Sequence, residues 1–203
     1  MNYTELNILY EDNHIIVVNK PYGILSQEDH TKEQDMLSLI KEYIKIKANK
    51  PGNVWLGLVH RLDRNTSGIM VFAKTSKAAS RLSASITNNE FHKSYYAVVE
   101  GITNDYEELK DYVYKDERLV KSFVTTKEKG KLAILEYKTI KHIDNTSLIE
   151  VNLKTGRHHQ IRVQMANINH PLVGDKLYNS TIDTNYLLHA YKLSFLILLQ
   201  KKY

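Results

Sequence analysis

Asp63 is a single carboxylate set between two arginines in the run His60-Arg61-Leu62-Asp63-Arg64-Asn65-Thr66-Ser67-Gly68-Ile69. Flanking cations keep a carboxylate ionised and are groups that hold phosphate. Asn65, Thr66 and Ser67 bond their own backbone and tolerate turn geometry, so the run presents Asp63 on a loop. A carboxylate that acts as nucleophile or general base needs such rigid exposure. An aspartate among bases in a turn is also an ordinary surface ion pair, with Arg61 or Arg64 as partner. This run by itself leaves both readings open.

Three further segments carry chemistry. In Lys93-Ser94-Tyr95-Tyr96-Ala97-Val98-Val99-Glu100-Gly101, alternation along a strand sends Tyr95 and Tyr96 to opposite faces, so one of them faces a given pocket. A tyrosine ring there stacks on a nucleobase, worth about 1–3 kcal/mol, or its hydroxyl moves a proton. A core tyrosine is the plainer reading in a chain with 14 of them. In Leu153 to Gln164, Gly156 allows a turn, and a helix start with Arg157 beside it suits a phosphate. Arg162 projects inward one turn later. His170-Pro171-Leu172-Val173-Gly174-Asp175 is by itself a loop. A metal site built from His158 or His159 with His170, Asp175 or His189 is disfavoured, because adjacent histidines point in different directions on a helix.

The elements that position these residues follow from patterning. Ile8–Tyr10 and His14–Lys20 read as strands, the second from its β-branched run. Asp35 caps a helix to about Lys47, with Leu37, Ile40 and Ile44 on one face, and Lys50-Pro51-Gly52-Asn53 breaks it. Leu56–Val59 and Ile69–Ala73 are strands on either side of the Asp63 run, and a helix from Ser76 to about Asn88 turns Ala79, Leu82 and Ile86 inward. Strands follow at Ser94–Val99, Leu119–Thr125, Ala133–Ile143 and Ser147–Leu153. A helix over about His158–Ile168 and a strand at Leu188–Leu193 complete the set. The stretch from Thr103 to Lys131 is the most polar and the least specified. Interspersed strands and helices without a βαβ repeat predict an α+β fold with a mixed, largely antiparallel sheet and flanking helices.

Composition narrows the function classes. The 203 residues suit one domain and carry 42% hydrophobic and 25% charged residues, ordinary for a globular chain. With no cysteine, disulfides and thiolate chemistry are excluded. The polar opening Met1-Asn2-Tyr3-Thr4-Glu5 does not read as a signal peptide, and the longest apolar run, Phe195 to Leu199, is too short to span a membrane, which points to the cytoplasm. The net charge of +5 is unevenly spread. Residues 51–100 hold six Lys and Arg against three Asp and Glu, and residues 151–203 hold seven against two. Two basic segments that meet would form a face for nucleic-acid phosphates.

Taken together, these segments resemble the RluA family of RNA pseudouridine synthases. The resemblance runs in order through Tyr10-Glu11-Asp12-Asn13-His14, Asn19-Lys20-Pro21-Tyr22-Gly23, His60 to Gly68, Lys93 to Gly101, Thr155 to Val163, His170 to Asp175 and Leu188-His189-Ala190. It implies isomerisation of uridine in ribosomal or transfer RNA to pseudouridine, with no cofactor and no metal, by a monomer that takes a flipped-out uridine into a cleft between two halves. It implies that Asp63 is the catalytic carboxylate, that Tyr95 stacks on the base, that Arg162 pairs with Asp63, and that Ile161 lines the base pocket. Arg61, Arg64 and Arg157 would contact RNA. It further leads us to expect a single catalytic domain over residues 1–203, with no N-terminal S4-type domain and a C-terminus short for the family. His158 stands where the family often has threonine. Two other readings remain: a non-catalytic RNA-binding module on the same fold, and a metal-dependent phosphodiesterase using His60, Asp63 and His158 or His159.

Overall fold

The computed structural model describes residues 1–49 and 51–196. Lys50, in the expected helix break, and most of the apolar run ending at Leu199 lie outside the described residues. The chain divides into two compact units, one of residues 1–91 with the segment from Leu193, the other of His92–Lys192.

In the first unit, β1 (Asn7–Glu11) and β2 (Ile15–Lys20) form a hairpin. Its turn is closed by Asp12, whose carboxylate accepts from the amides of His14 and Ile15 at 2.7 and 2.8 Å. β2 also pairs antiparallel with β4 (Ser67–Ala73), from Ile15 opposite Ala73 to Lys20 opposite Gly68. A short β3 (Gly57–Leu58) joins β4 at Ala73 and Phe72. Helix α1 (Met36–Lys47) begins as the sequence predicts, with the Asp35 side chain accepting from the Ser38 amide. Helix α2 (Ser76–Thr87) is capped by Thr75 and packs Ala78 and Leu82 with Ile15, Val71, Ala73 and Phe91. Its other inward positions, Ala79 and Ile86, are partly buried against that cluster.

In the second unit, β5 (His92–Glu100) pairs with β9 (Thr146–Leu153), β9 with β8 (Lys131–Ile143), β8 with β6 (Tyr106–Asp116), and β6 with β7 (Lys121–Thr125), all antiparallel. β10 (Leu188–Ser194) lies beside β5. Helix α3 (Gln160–Asn167) covers the inner face, where Val163 meets Val113, Ala133 and Tyr178.

Several boundaries differ from the sequence reading. β3 covers only Gly57–Leu58 of the expected Leu56–Val59, β4 begins at Ser67 rather than Ile69, and β8 begins at Lys131 rather than Ala133. Three further differences have local causes. β6 was unspecified because only Leu109 and Val113 give its inner face an apolar signal; Asp111, between them, is accounted for by the Gln164 amide that donates to it at 2.7 Å. The strand expected from Leu119 starts at Lys121, because Val120 takes a left-handed φ of 48° and Leu119 is exposed in the turn. Helix α3 starts at Gln160 rather than His158, because His159 is also left-handed, with φ 53°. Among the described residues, no helix is long and apolar enough to cross a membrane.

Candidate functional site

The Asp63 loop is built by a lysine in a core position. Alternation along β2 puts Lys20 on the same side as Ile16 and Val18, and all three are fully buried. A buried ammonium must be compensated, and Lys20 donates to three carbonyls: Pro21 at 3.0 Å, Ile24 at 2.7 Å and Arg64 at 2.8 Å. The bond to Arg64 crosses from the Pro21-Tyr22-Gly23 turn to the residue that follows Asp63. Gly23 reinforces it, its amide donating to the Arg64 carbonyl at 3.0 Å. The residue preceding Asp63 is tied as well. Ser26 donates its hydroxyl to the Leu62 carbonyl at 2.6 Å and accepts from the Leu62 amide at 3.1 Å. Asp63 itself is half-buried, and its carbonyl closes a turn by accepting from Thr66 at 3.0 Å.

The flanking side chains divide in role. Arg64 donates Nε to the Gly23 carbonyl at 3.1 Å and pairs through Nη2 with Glu33 at 2.6 Å, so its guanidinium fastens the loop to neighbouring turns. Arg61 is exposed. His60 is buried, and its Nε2 accepts from the Val71 amide at 3.1 Å. Burial pushes the Lys20 ammonium down to about 8, with the charge of Asp63 acting in the opposite direction.

In the second unit β5 resolves the tyrosine pair. Tyr95 is buried on the inner face, and Tyr96 is exposed on the other face, stacked on Tyr191 with ring centroids 4.0 Å apart. On α3, Ile161 and Arg162 are both buried. The guanidinium of Arg162 is gripped edge-on by Asp175, Nε to Oδ2 at 2.6 Å and Nη2 to Oδ1 at 2.9 Å. The guanidinium carbon also lies over two rings, 5.1 Å from the Tyr178 centroid and 4.6 Å from that of Tyr186. Asp175 reaches this position because the loop before it runs along β5, with the Glu100 amide donating to Pro171 and the Val173 amide to Val98, each at 2.9 Å. Gly174 is required there: φ is +84°, and a Cβ would come within 2.5 Å of the Thr184 carbonyl.

The loop leading into α3 is ordered by Gln160, which accepts from the Arg157 amide at 2.9 Å and the Thr155 hydroxyl at 2.8 Å and donates to the Ile134 carbonyl at 3.0 Å. Arg157 is exposed, with Nε on the Leu132 carbonyl at 2.8 Å. His158 meets the Ser122 hydroxyl at 2.9 Å, and His159 meets the Tyr178 hydroxyl at 3.0 Å. Burial, and then the charge of Arg162, pushes the His159 imidazole well down. Among the described residues, no group of three His, Asp or Glu side chains is placed to hold a metal ion.

Sequence reasoning singled out Asp63, Tyr95, Arg162, Ile161, Arg61, Arg64 and Arg157. The first unit holds Asp63, Arg61 and Arg64, and the second unit holds the other four. It missed the positioning residues Lys20, Ser26, Gln160 and Asp175. Lys20 carried a readable signal, a lysine that follows Ile16 and Val18 on an otherwise apolar strand face. For Asp175 the signal was indirect: an inward arginine on a buried helix needs an acid.

A family model described as RNA pseudouridylate synthase matches residues 14–167. The chain is 36% identical over 196 residues to the ribosomal large subunit pseudouridine synthase D of Borreliella burgdorferi, covering 92% of this chain and 60% of that protein. It is 31% identical over 217 residues to the tRNA pseudouridine synthase C of Vibrio parahaemolyticus, covering 94% of this chain and 85% of that one. The fold matches a solved structure titled human RNA pseudouridylate synthase domain containing 4, with TM-score 0.79 at 20% identity, over 92% of this chain and 83% of that one. This agrees with the expected α+β class.

Two outcomes test the clamps. Lys20 has its folded-state proton affinity lowered, so between pH 8 and 10 the unfolded chain binds more protons than the folded one. Stability relative to Lys20→Met therefore rises across that window, by up to about 3 kcal/mol. Urea midpoints of the two proteins measured at each pH check this, and a constant difference refutes it. Asp175→Asn leaves a buried guanidinium half-paired and costs about 3–5 kcal/mol, while the double variant Arg162→Met with Asp175→Leu costs less than Asp175→Asn alone. Denaturant titration of all three variants reads the comparison.

Proposed function

The chain belongs to the RNA pseudouridylate synthase family, and on that premise we propose that it isomerises uridines in RNA to pseudouridine. It spans 60% of the length of the large-subunit relative and 56% of the next such relative, from Zymomonas mobilis. In the reaction the N1–C1′ bond of uridine breaks, the uracil turns, and C5 bonds to C1′. The proton on C5 is released and N1 gains one, so no redox step or second substrate is needed.

The observation that carries this reading is the fixed, half-buried carboxylate of Asp63, whose two neighbours are each tied to the 20–26 turn. A carboxylate acting at the ribose must meet its target without reorganising, and such a loop supplies that preorganisation. We assign Asp63 as the catalytic carboxylate. Tyr95 is assigned as the platform for the uracil ring, with Ile161 as an apolar wall. Arg162 is assigned as the cation of the site, its direction set by the bidentate grip of Asp175. Arg61 and Arg157, both exposed, are assigned to RNA phosphates. Arg64, engaged by Glu33 and Gly23, serves RNA contact less directly. The relatives' names point to ribosomal or transfer RNA as substrate. The enzyme acts as a monomer in the cytoplasm, where both RNAs are found.

Release of tritium from RNA labelled at C5 of uridine tests the assignment, with unmodified large-subunit ribosomal RNA and tRNA transcripts as substrates. Wild-type protein releases tritium from at least one of them, and Asp63→Asn loses at least a thousandfold in rate while still binding that RNA. Release that survives Asp63→Asn removes Asp63 from the chemistry. Binding without release by the wild type leaves a non-catalytic RNA-binding module.

A further inference from the structure

We propose that Lys93 holds a backbone phosphate of the nucleotide whose base stacks on Tyr95, so that one face of β5 receives both base and phosphate. The inference rests on the reading of Tyr95 as the base platform and adds a residue to it. Strand alternation puts Lys93 on the same face as Tyr95, with Ser94 and Tyr96 on the other. Same-face neighbours stand about 6.5 Å apart along a strand, a separation comparable to that between a base and its own phosphate.

The register shows what the lysine stem crosses. Lys93 lies opposite Leu153, and Leu153 opposite Leu135, which is fully buried; Tyr95 lies opposite Val151, and Val151 opposite Tyr137, both almost wholly buried. The stem therefore packs over an apolar row, and only its end is polar. That end reaches Gly156, where a Cβ would stand 3.3 Å from the ammonium nitrogen. Glycine at this position leaves the ammonium room beside the backbone.

Gly156 sits in a rigid place. Thr155 donates to Gln160 and accepts from the Ile134 amide at 2.8 Å, and Arg157 is fixed by its Nε bond to Leu132. Two cations thus flank one glycine immediately before α3. The neighbouring Lys154 pairs with Glu136 at 3.1 Å. Burial lowers the proton affinity of Lys93.

The test uses the full chain and a fluorescein-labelled single-stranded oligouridine, with affinity measured by anisotropy over a range of salt concentrations. Removing one phosphate contact reduces the slope of log K against log salt by about 0.7 for a single strand. Lys93→Gln is expected to weaken binding severalfold and to show that smaller slope. Lys93→Arg, which keeps the charge, retains the wild-type slope, and Tyr95→Leu weakens binding with the slope unchanged. If Lys93→Gln lacks a cooperative thermal transition, the slope is read on Lys93→Met, whose unbranched chain preserves the packing. A wild-type slope in the neutral variant overturns the proposal, as does an equal loss of slope in Lys93→Arg. Conversion of uridine by the wild type is scored separately in the tritium assay. An unchanged slope alongside wild-type conversion rejects Lys93 alone, whereas no conversion rejects the underlying enzymatic reading.

Discussion

A buried lysine is the constraint around which the first unit is organised. Lys20 enters the core because strand alternation leaves it no other face, and its ammonium then requires acceptors that a core does not ordinarily offer. The acceptors are three backbone carbonyls from two loops distant in sequence, 21–24 and Arg64. Satisfying one cation thus fixes where the chain passes just after Asp63. Ser26 does the same on the other side through Leu62. The carboxylate acquires a fixed position from its neighbours, while its own side chain remains half-buried.

The second unit solves a similar problem with a different group. Arg162 sits on a helix buried on nearly every side, from Gln160 to Met165. Its charge is met edge-on by Asp175, and its guanidinium carbon lies over the Tyr178 and Tyr186 rings. A planar guanidinium suits this arrangement in a way that an ammonium would not, since two of its N–H groups meet the two carboxylate oxygens at once. Replacing such a pair by apolar residues is often tolerated by the fold. The bidentate pair fixes the direction of the guanidinium.

Much of this was legible in the sequence, and the exceptions have physical causes. The Asp35 cap and the β-branched run of β2 are local signals that formed where patterning placed them, while the polar turn after Asp63 ends early because Ser67 and Gly68 join β4. Opposite faces for Tyr95 and Tyr96 followed from strand geometry alone, although which face was buried did not. β6 was missed because its inner face includes Asp111, bonded to Gln164 of a helix some fifty residues later. The start of α3 was displaced by a left-handed histidine, a conformation uncommon for residues other than glycine and not signalled by the helical pattern. Asp175 reaches Arg162 across 13 residues and Lys20 reaches Arg64 across 44, and local periodicity does not disclose such pairs.

The claim most exposed to experiment is that the Lys20 clamp keeps Asp63 in working position for uridine isomerisation. Single-turnover conversion of uridine to pseudouridine, measured at saturating RNA for wild type and Lys20→Met, addresses it directly. The expected result is conversion by the wild type and a rate at least tenfold lower for a folded Lys20→Met protein with unchanged RNA affinity. A folded Lys20→Met protein that converts uridine at the wild-type rate would contradict it.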